Sequence, residues 1–271
     1  MYDINMKYAL LTGCYGGMGE ASLKKLIDEG YFVYGLDINK SNYQNDHFKF
    51  YQVDLRNNKE IEKVYESILE DNIQLSAIIH MSGIYDLNSL IEISEEDFIK
   101  IFDVNVFAIY RINKLFVNLL EKKGKIIMVS SELAPLDPLP FTGLYAISKA
   151  TIEKYAYSLR MELQLLDYYV TVIRPGAIDT KLLDVSTNSI EEFTKNTAKY
   201  EHNAKKFMDI TNKVESRKIP PKKIATLTYK ILKKKKPRYI YKINRNPLLL
   251  ILNILPQHLQ NYIIKKILLS K

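Results

Sequence analysis

Short runs rich in aliphatic and β-branched residues alternate along the chain with longer stretches whose apolar positions recur every three to four residues. KYALL (7–11), YFVYGLD (31–37), FKFYQVD (48–54), LSAIIH (75–80), KIIMVS (125–130) and YVTVIR (169–174) read as strands. The intervening periodicity predicts helices over 18–29, 59–70, 95–121 and 144–166. Strands this uniformly apolar are buried on both faces, and helices of this length between them make parallel βαβ crossovers. The expected fold is therefore α/β, a doubly wound parallel sheet in a single domain over residues 1–244. After Pro175 the pattern changes. Residues 176–216 are polar and mostly helical, 224–236 read as a further helix, and RYIYKI (238–243) as a last strand. An apolar and basic helical extension, 245–271, follows in two stretches divided by Pro256.

Charge changes this picture at the C-terminal end. The whole chain carries 39 Lys and Arg against 31 Asp and Glu. From Arg217 onward there are 15 basic residues and no acid, so the remainder is net acidic. A basic tail on an acidic body points to an anionic partner, a membrane surface or a nucleic acid. No zinc-finger, helix-turn-helix or aromatic-stacking pattern supports nucleic acid. No uncharged apolar run reaches the ~18 residues needed to span a bilayer. The single Cys14 excludes a disulfide scaffold, and the N-terminus lacks a basic region followed by an apolar run. A cytoplasmic location, with membrane association through the tail as an open alternative, is the expectation.

Three groups of residues carry candidate chemistry. Thr12-Gly13-Cys14-Tyr15-Gly16-Gly17-Met18-Gly19 lies between the first strand and the first helix. Glycines there let the chain turn sharply and let a pyrophosphate approach the free N–H groups of a helix N-terminus, although an ordinary tight turn has the same composition. Asp37 ends the second strand, where a carboxylate accepts hydrogen bonds from ribose hydroxyls and repels a 2′-phosphate; a turn-capping role is the alternative. This favours NAD over NADP. Tyr145 and Lys149 stand four residues apart on one helical face, and an ammonium beside a phenol is expected to lower the phenol pKa.

With Ser130 and Ser131 at the end of a strand, the ordered set resembles the short-chain dehydrogenase/reductase family over residues 6–181. Thr12-Gly13-x-x-x-Gly17-x-Gly19 matches its cofactor loop, with Met18 inside it, and Asp54-Leu55 the pair beside the adenine. Asn105 matches its active-site asparagine, and Ser131 its serine, one residue further from the tyrosine than is usual. Tyr145-x-x-x-Lys149 matches its catalytic pair, and Pro175-Gly176-x-x-x-Thr180, which includes Ile178, the segment that holds the nicotinamide. One departure is clear: the family's Asn-Asn-Ala-Gly reads His80-Met81-Ser82-Gly83 here. Ser82 and Gly83 keep the passage beside the cofactor, and His80 is expected to be structural.

The resemblance implies a Rossmann-type fold, NAD as cofactor, no metal, and a homo-oligomer, dimer or tetramer. It implies that Tyr145 exchanges a proton with the substrate oxygen and that Lys149 tunes it and binds the nicotinamide ribose. Ser131 would hydrogen-bond the reacting oxygen, and Asn105 would hold a relay water. Residues 176–216 would cover the substrate, with Leu182, Leu183, Ile190, Phe193, Phe207, Met208 and Ile210 as an apolar lid. Leu133, Leu136, Leu139 and Phe141 would line the same pocket. An apolar pocket suits a lipophilic secondary alcohol or ketone, a hydroxysteroid among them. The tail is similar to those of family members acting on steroids, retinoids and related lipids. It packs over the pocket, joins a second subunit or lies on a membrane; covering the pocket is the favoured alternative. The competing function is a catalytically weak NAD(H)-binding regulator or scaffold.

Overall fold

The computed structural model describes residues 6–180, 190–215 and 217–270. Seven strands, β1 (Lys7–Thr12), β2 (Tyr31–Asp37), β3 (Phe48–Gln52), β4 (Leu75–His80), β5 (Leu120–Val129), β6 (Tyr169–Pro175) and β7 (Ile240–Ile243), form one sheet in the order β3-β2-β1-β4-β5-β6-β7. Every neighbouring pair is parallel. The order reverses between β1 and β4, the switch point beyond which open α/β sheets bind ligands at their carboxyl ends.

Alternation along β1 explains the two covered faces. Tyr8 and Leu10 point to a core shared with α2 (Asn58–Glu70), α4 (Ala108–Phe116) and α5 (Gly143–Leu163), which contribute Ile61, Ile112 and Ile152. Ala9 and Leu11 point the other way, toward Leu23 and Leu26 of α1 (Gly17–Asp28) and Ile224 and Ile231 of α7 (Lys222–Lys233). Both layers are buried, as the near-continuous apolar strands require.

Two local expectations change. The predicted 95–121 helix is α3 (Glu95–Phe102), a π turn at Asp103–Phe107, and α4, and it ends at a short 3-10 turn over Val117–Leu119. The π turn admits one extra residue and rolls Asn105 fully inward, with an Asp103–Arg111 ion pair of 2.7 Å across it. Leu120 and Glu121 belong to β5, not to the helix: Leu120 pairs with Leu75 and is buried, so sheet pairing wins over helical periodicity.

Beyond β6, residues 190–196 and α6 (Glu201–Glu215) are helical. The expected 224–236 helix is α7, ending at Lys233. The tail forms α8 (Pro247–Ile254) and α9 (Gln257–Leu269) on either side of Pro256, as the apolar stretches suggest. It packs onto the domain. Asn246 N–H donates to Glu132 Oε2 (2.6 Å), Asn253 Oδ1 accepts from Asp137 N–H (2.7 Å), and Asn203 Nδ2 donates to the Leu268 carbonyl (2.8 Å). Leu268 is buried in a small core with Leu87, Ile190, Phe193, Ala204 and Phe207.

Candidate active site

Gly13 sits at φ +68°, a conformation favouring glycine, and its N–H donates to Leu36 O at 2.8 Å. This turns the chain off β1 and aims it into α1. Gly16 caps α1 without a side-chain hydrogen bond of its own, which leaves the first-turn amides uncapped by it. A Cβ at Gly19 would stand 1.8 Å from the Gly13 carbonyl oxygen, and one at Gly17 would stand 2.6 Å from Thr180 Cγ2. The loop is thus closed on itself and on the segment after β6. Thr12 is buried and its hydroxyl hydrogen-bonds Ser82 at 3.0 Å, tying β1 to the chain after β4.

Asp37, at the end of β2, accepts from Tyr15 N–H and Asn39 N–H, each at 2.9 Å, which places its carboxylate beside the glycine loop. Asp54 stands just past β3 but is clasped by Arg56, with Nη2 at 2.6 Å and Nε at 3.0 Å, and this pairing lowers its pKa. Leu55 is buried in the core on the α2 side. Any adenine contact through this pair must compete with the Arg56 bridge and the core.

Across the switch point, Ser131, Tyr145 and Lys149 come together, all buried. The Ser131 hydroxyl stands near enough to the Tyr145 phenol to hold its pKa down, and it accepts from Leu133 N–H at 3.1 Å. Glu153, one turn beyond Lys149, pairs with Arg174 of β6 and accepts from the Ser130 hydroxyl at 2.9 Å. This bridge holds α5 against the sheet and sets the height of Tyr145 over the carboxyl edge. Tyr85 stacks edge-on to the Tyr145 ring at 4.2 Å between centroids.

The expected pKa effect of the lysine is reversed by burial. Desolvation pushes Tyr145 up to about 12, opposed by the nearby Ser131 hydroxyl, and pushes Lys149 down to about 8. Lys149 Nζ lies 5.6 Å from the centroid of the Tyr145 ring and donates to Val129 O at 3.3 Å. Burial thus keeps Tyr145 in its phenol form near neutrality.

Asn105, the expected water holder, engages the neighbouring chain through its side-chain amide. Its Nδ2 donates to Ile84 O (3.0 Å) and Ser148 Oγ (3.1 Å), and its Oδ1 accepts from Ile84 N–H (2.8 Å). With both amide hydrogens taken, the side chain positions the Gly83–Ile84 segment against α5. A Cβ at Gly83 would stand 3.2 Å from Asn105 Oδ1 and 3.4 Å from Lys149 Nζ, which is why the chain is bare there. His80 is fully buried against Asn113 Oδ1 (2.9 Å), with its pKa lowered to about 4. It is a neutral structural residue, as expected.

These groups open into a cavity of about 200 Å³. Its lining includes Met18, Ser82, Gly83, Pro175, Gly176, Ile178 and Thr180, together with the apolar side chains of Leu133, Leu139, Phe207, Ile210 and Leu249. Of the anticipated lid, Ile190, Phe193 and Met208 instead belong to the core beneath, where Phe193 and Phe207 pack on the Phe141 ring. Leu136 is not among the described lining residues, and Leu182 and Leu183 lie outside the described residues. Tyr85, Glu132, Thr211 and Leu249 were not anticipated. Tyr85 follows Gly83 by two residues and was open to the same motif reading; the other three carry no local signal. Glu132 is buried with a raised pKa, from desolvation, and it anchors the tail through Asn246.

A nicotinamide dinucleotide fits this cradle. The uncapped α1 N-terminus and the glycines whose Cβ positions are blocked would hold its pyrophosphate, Asp37 a ribose, and residues 175–180 the nicotinamide.

Comparison with known proteins agrees. A family model described as short chain dehydrogenase matches residues 7–191. The 3-ketodihydrosphingosine reductase of Bacteroides thetaiotaomicron is 25% identical over 263 residues, covering 94% of this chain and 96% of that protein. The NADPH-dependent 1-acyldihydroxyacetone phosphate reductase of Schizosaccharomyces pombe is 30% identical over 187 residues, 65% of this chain and 61% of that protein. The crystal structure of a short chain dehydrogenase family protein from Francisella tularensis superposes with a TM-score of 0.73 at 25% identity, over 88% of this chain and 97% of that one. Fold, cradle and matched span lead to one conclusion: the chain belongs to the short-chain dehydrogenase family and is an oxidoreductase of that family.

Proposed function

We propose that this enzyme interconverts a lipophilic secondary alcohol and its ketone, with NAD(H) preferred over NADP(H). The observation that carries the reading is the convergence of Ser131, Tyr145 and Lys149 on one cavity whose lining is largely apolar. When bound, the nicotinamide gives or takes the hydride. Tyr145 gives or takes the proton at the substrate oxygen, and Ser131 donates a hydrogen bond to that oxygen as charge develops on it. Lys149, beside Gly83 at the cofactor end, would hold the nicotinamide ribose. The complete set of four polar residues favours turnover over a binding-only regulator, which needs no proton donor. Asn105 serves it by positioning.

Asp37 supports NAD, because a 2′-phosphate would meet a carboxylate at close range. The name of the S. pombe relative carries NADPH, so the choice is open to direct test. The B. thetaiotaomicron relative is named for a long-chain ketone; that class and the hydroxysteroids both suit the wall of leucine, isoleucine and phenylalanine. A homo-oligomer is supported by exposed apolar side chains at Phe107 and Tyr110 around the start of α4 and Ile147, Tyr157 and Met161 on α5. Sedimentation as a dimer or tetramer is expected, and a monomer at assay concentration would overturn that part.

The deciding experiment follows NAD(P)H absorbance over a panel of long-chain ketones, ketosteroids and sugars, with both cofactors titrated by fluorescence. Highest kcat/KM on a lipophilic ketone and tighter NADH than NADPH are expected. Preference for sugars overturns the substrate class, and equal or tighter NADPH overturns the reading of Asp37. Removing the carboxylate with Asp37→Ser should narrow the difference between the cofactors.

A further inference from the structure

The tail divides its apolar residues between two surfaces. On α8, Leu249 lines the substrate cavity, while Leu248, Ile251 and Ile254 are 64%, 60% and 82% exposed. They recur every three residues and so share one side of the helix. On α9, Gln260 and Leu268 are buried, and Ile264 packs beside Leu268, against the catalytic domain. Leu259, Tyr262 and Leu269 are exposed on the opposite side, with Lys266 among them at helical spacing and Lys265 alongside. Packing against the domain therefore leaves outward apolar side chains on both helices. No Asp or Glu occurs anywhere from residue 217 to the end, against 15 Lys and Arg. Among the described residues no helix is long and apolar enough to cross a membrane.

We propose that this outward side of α8 and α9 is a docking surface for an anionic lipid bilayer. An amphipathic helix with leucine and isoleucine on one side and lysines beside them lies in the plane of the headgroups, its apolar side chains inserted and its cations on the lipid phosphates. The charge balance selects this occupant. A second copy of the chain would bring an equally acid-free tail against this one, whereas an anionic surface complements it. The same short helix then touches the bilayer through Leu248, Ile251 and Ile254 and the cavity through Leu249. A lipophilic substrate dissolved in the membrane would then reach the site past α8, where Leu249 lines the cavity. The surface stands on α8 and α9 alone, and the substrate route rests in addition on the function proposed above.

Co-sedimentation of the full chain with phosphatidylcholine vesicles, with and without phosphatidylglycerol, tests this. Wild type should pellet with the anionic vesicles at low salt and be released as salt rises. Leu248→Ser/Ile251→Ser/Ile254→Ser should lose binding by roughly tenfold or more, since three inserted aliphatic side chains are removed. Lys265→Gln/Lys266→Gln should weaken binding and flatten the salt dependence. All five positions are exposed, and melting temperatures measured alongside confirm that the variants fold. Absence of wild-type binding at low salt overturns the proposal, as does equal binding to neutral vesicles or wild-type-like binding by the triple serine variant. A wild-type dimer that the triple variant converts to monomer, with vesicles ignored, also overturns it and assigns the stripe to a second copy. Turnover of a water-soluble ketone without vesicles is measured in parallel. Its loss in wild type would count against the enzymatic reading and leave the surface untouched.

Discussion

Replacing Tyr145 by Phe is expected to lower turnover by about 10²–10⁴-fold, the usual contribution of a positioned proton donor, while NADH still binds with near wild-type affinity. The substitution removes one hydroxyl. The ring keeps its place, because Tyr85 packs edge-on against it at 4.2 Å and the rest of α5 is held through Glu153 and Arg174. What disappears is the hydroxyl beside Ser131, the group proposed to exchange the proton. Stopped-flow turnover and NADH fluorescence titration separate the two quantities, and undiminished turnover would remove Tyr145 from the mechanism. The pH dependence follows from the same burial. Because the phenol pKa is pushed up to about 12, the protonated form that serves ketone reduction persists through neutrality, so reduction should be level there. Alcohol oxidation needs the ionised form as base, and its rate should climb as the solution becomes more alkaline.

Gly19→Ala is expected to weaken NAD(H) binding by at least about tenfold, equivalent to ~1.4 kcal/mol, with kcat/KM falling in step. A Cβ there would lie 1.8 Å from the Gly13 carbonyl oxygen and 2.8 Å from its carbonyl carbon, so backbone rather than a pliable side chain must move. Moving it disturbs the turn that Gly13 makes at φ +68° and the N-terminal amides of α1 together. The core contacts of α1 through Leu23 and Leu26 lie one and two turns further on, so the fold should survive with a modest fall in melting temperature. Wild-type affinity in this variant would show that the loop does not bind the dinucleotide.

The glycine loop, Asp37 and the Tyr145–Lys149 pair were legible from the chain alone, since each depends on spacing within one turn or one helix. The pKa of Tyr145 was not. Sequence places an ammonium one turn away and suggests a lowered value, but burial by residues distant in the chain outweighs it and raises the phenol. Asn105 reads as an active-site residue, but the π turn that rolls it inward and commits its amide to Ile84 and Ser148 carries no sequence motif. Glu132 and Leu249 carry no motif. They matter because the tail returns to the pocket after more than 100 residues of intervening chain, and Asn246 finds the Glu132 carboxylate at 2.6 Å.

By itself the sequence determined the parallel α/β layering and the glycine turn between β1 and α1, because strand apolarity, helical period and glycine placement act over a few neighbouring residues. Tertiary structure decided which charges are desolvated, where β5 takes Leu120 from the helix before it, and which side of α8 and α9 is covered. The reason is range. Periodicity says that a helix has an apolar side, and the tail has more apolar residues than one side can hold. Only the packed domain settles which of them meet protein and which remain facing outward.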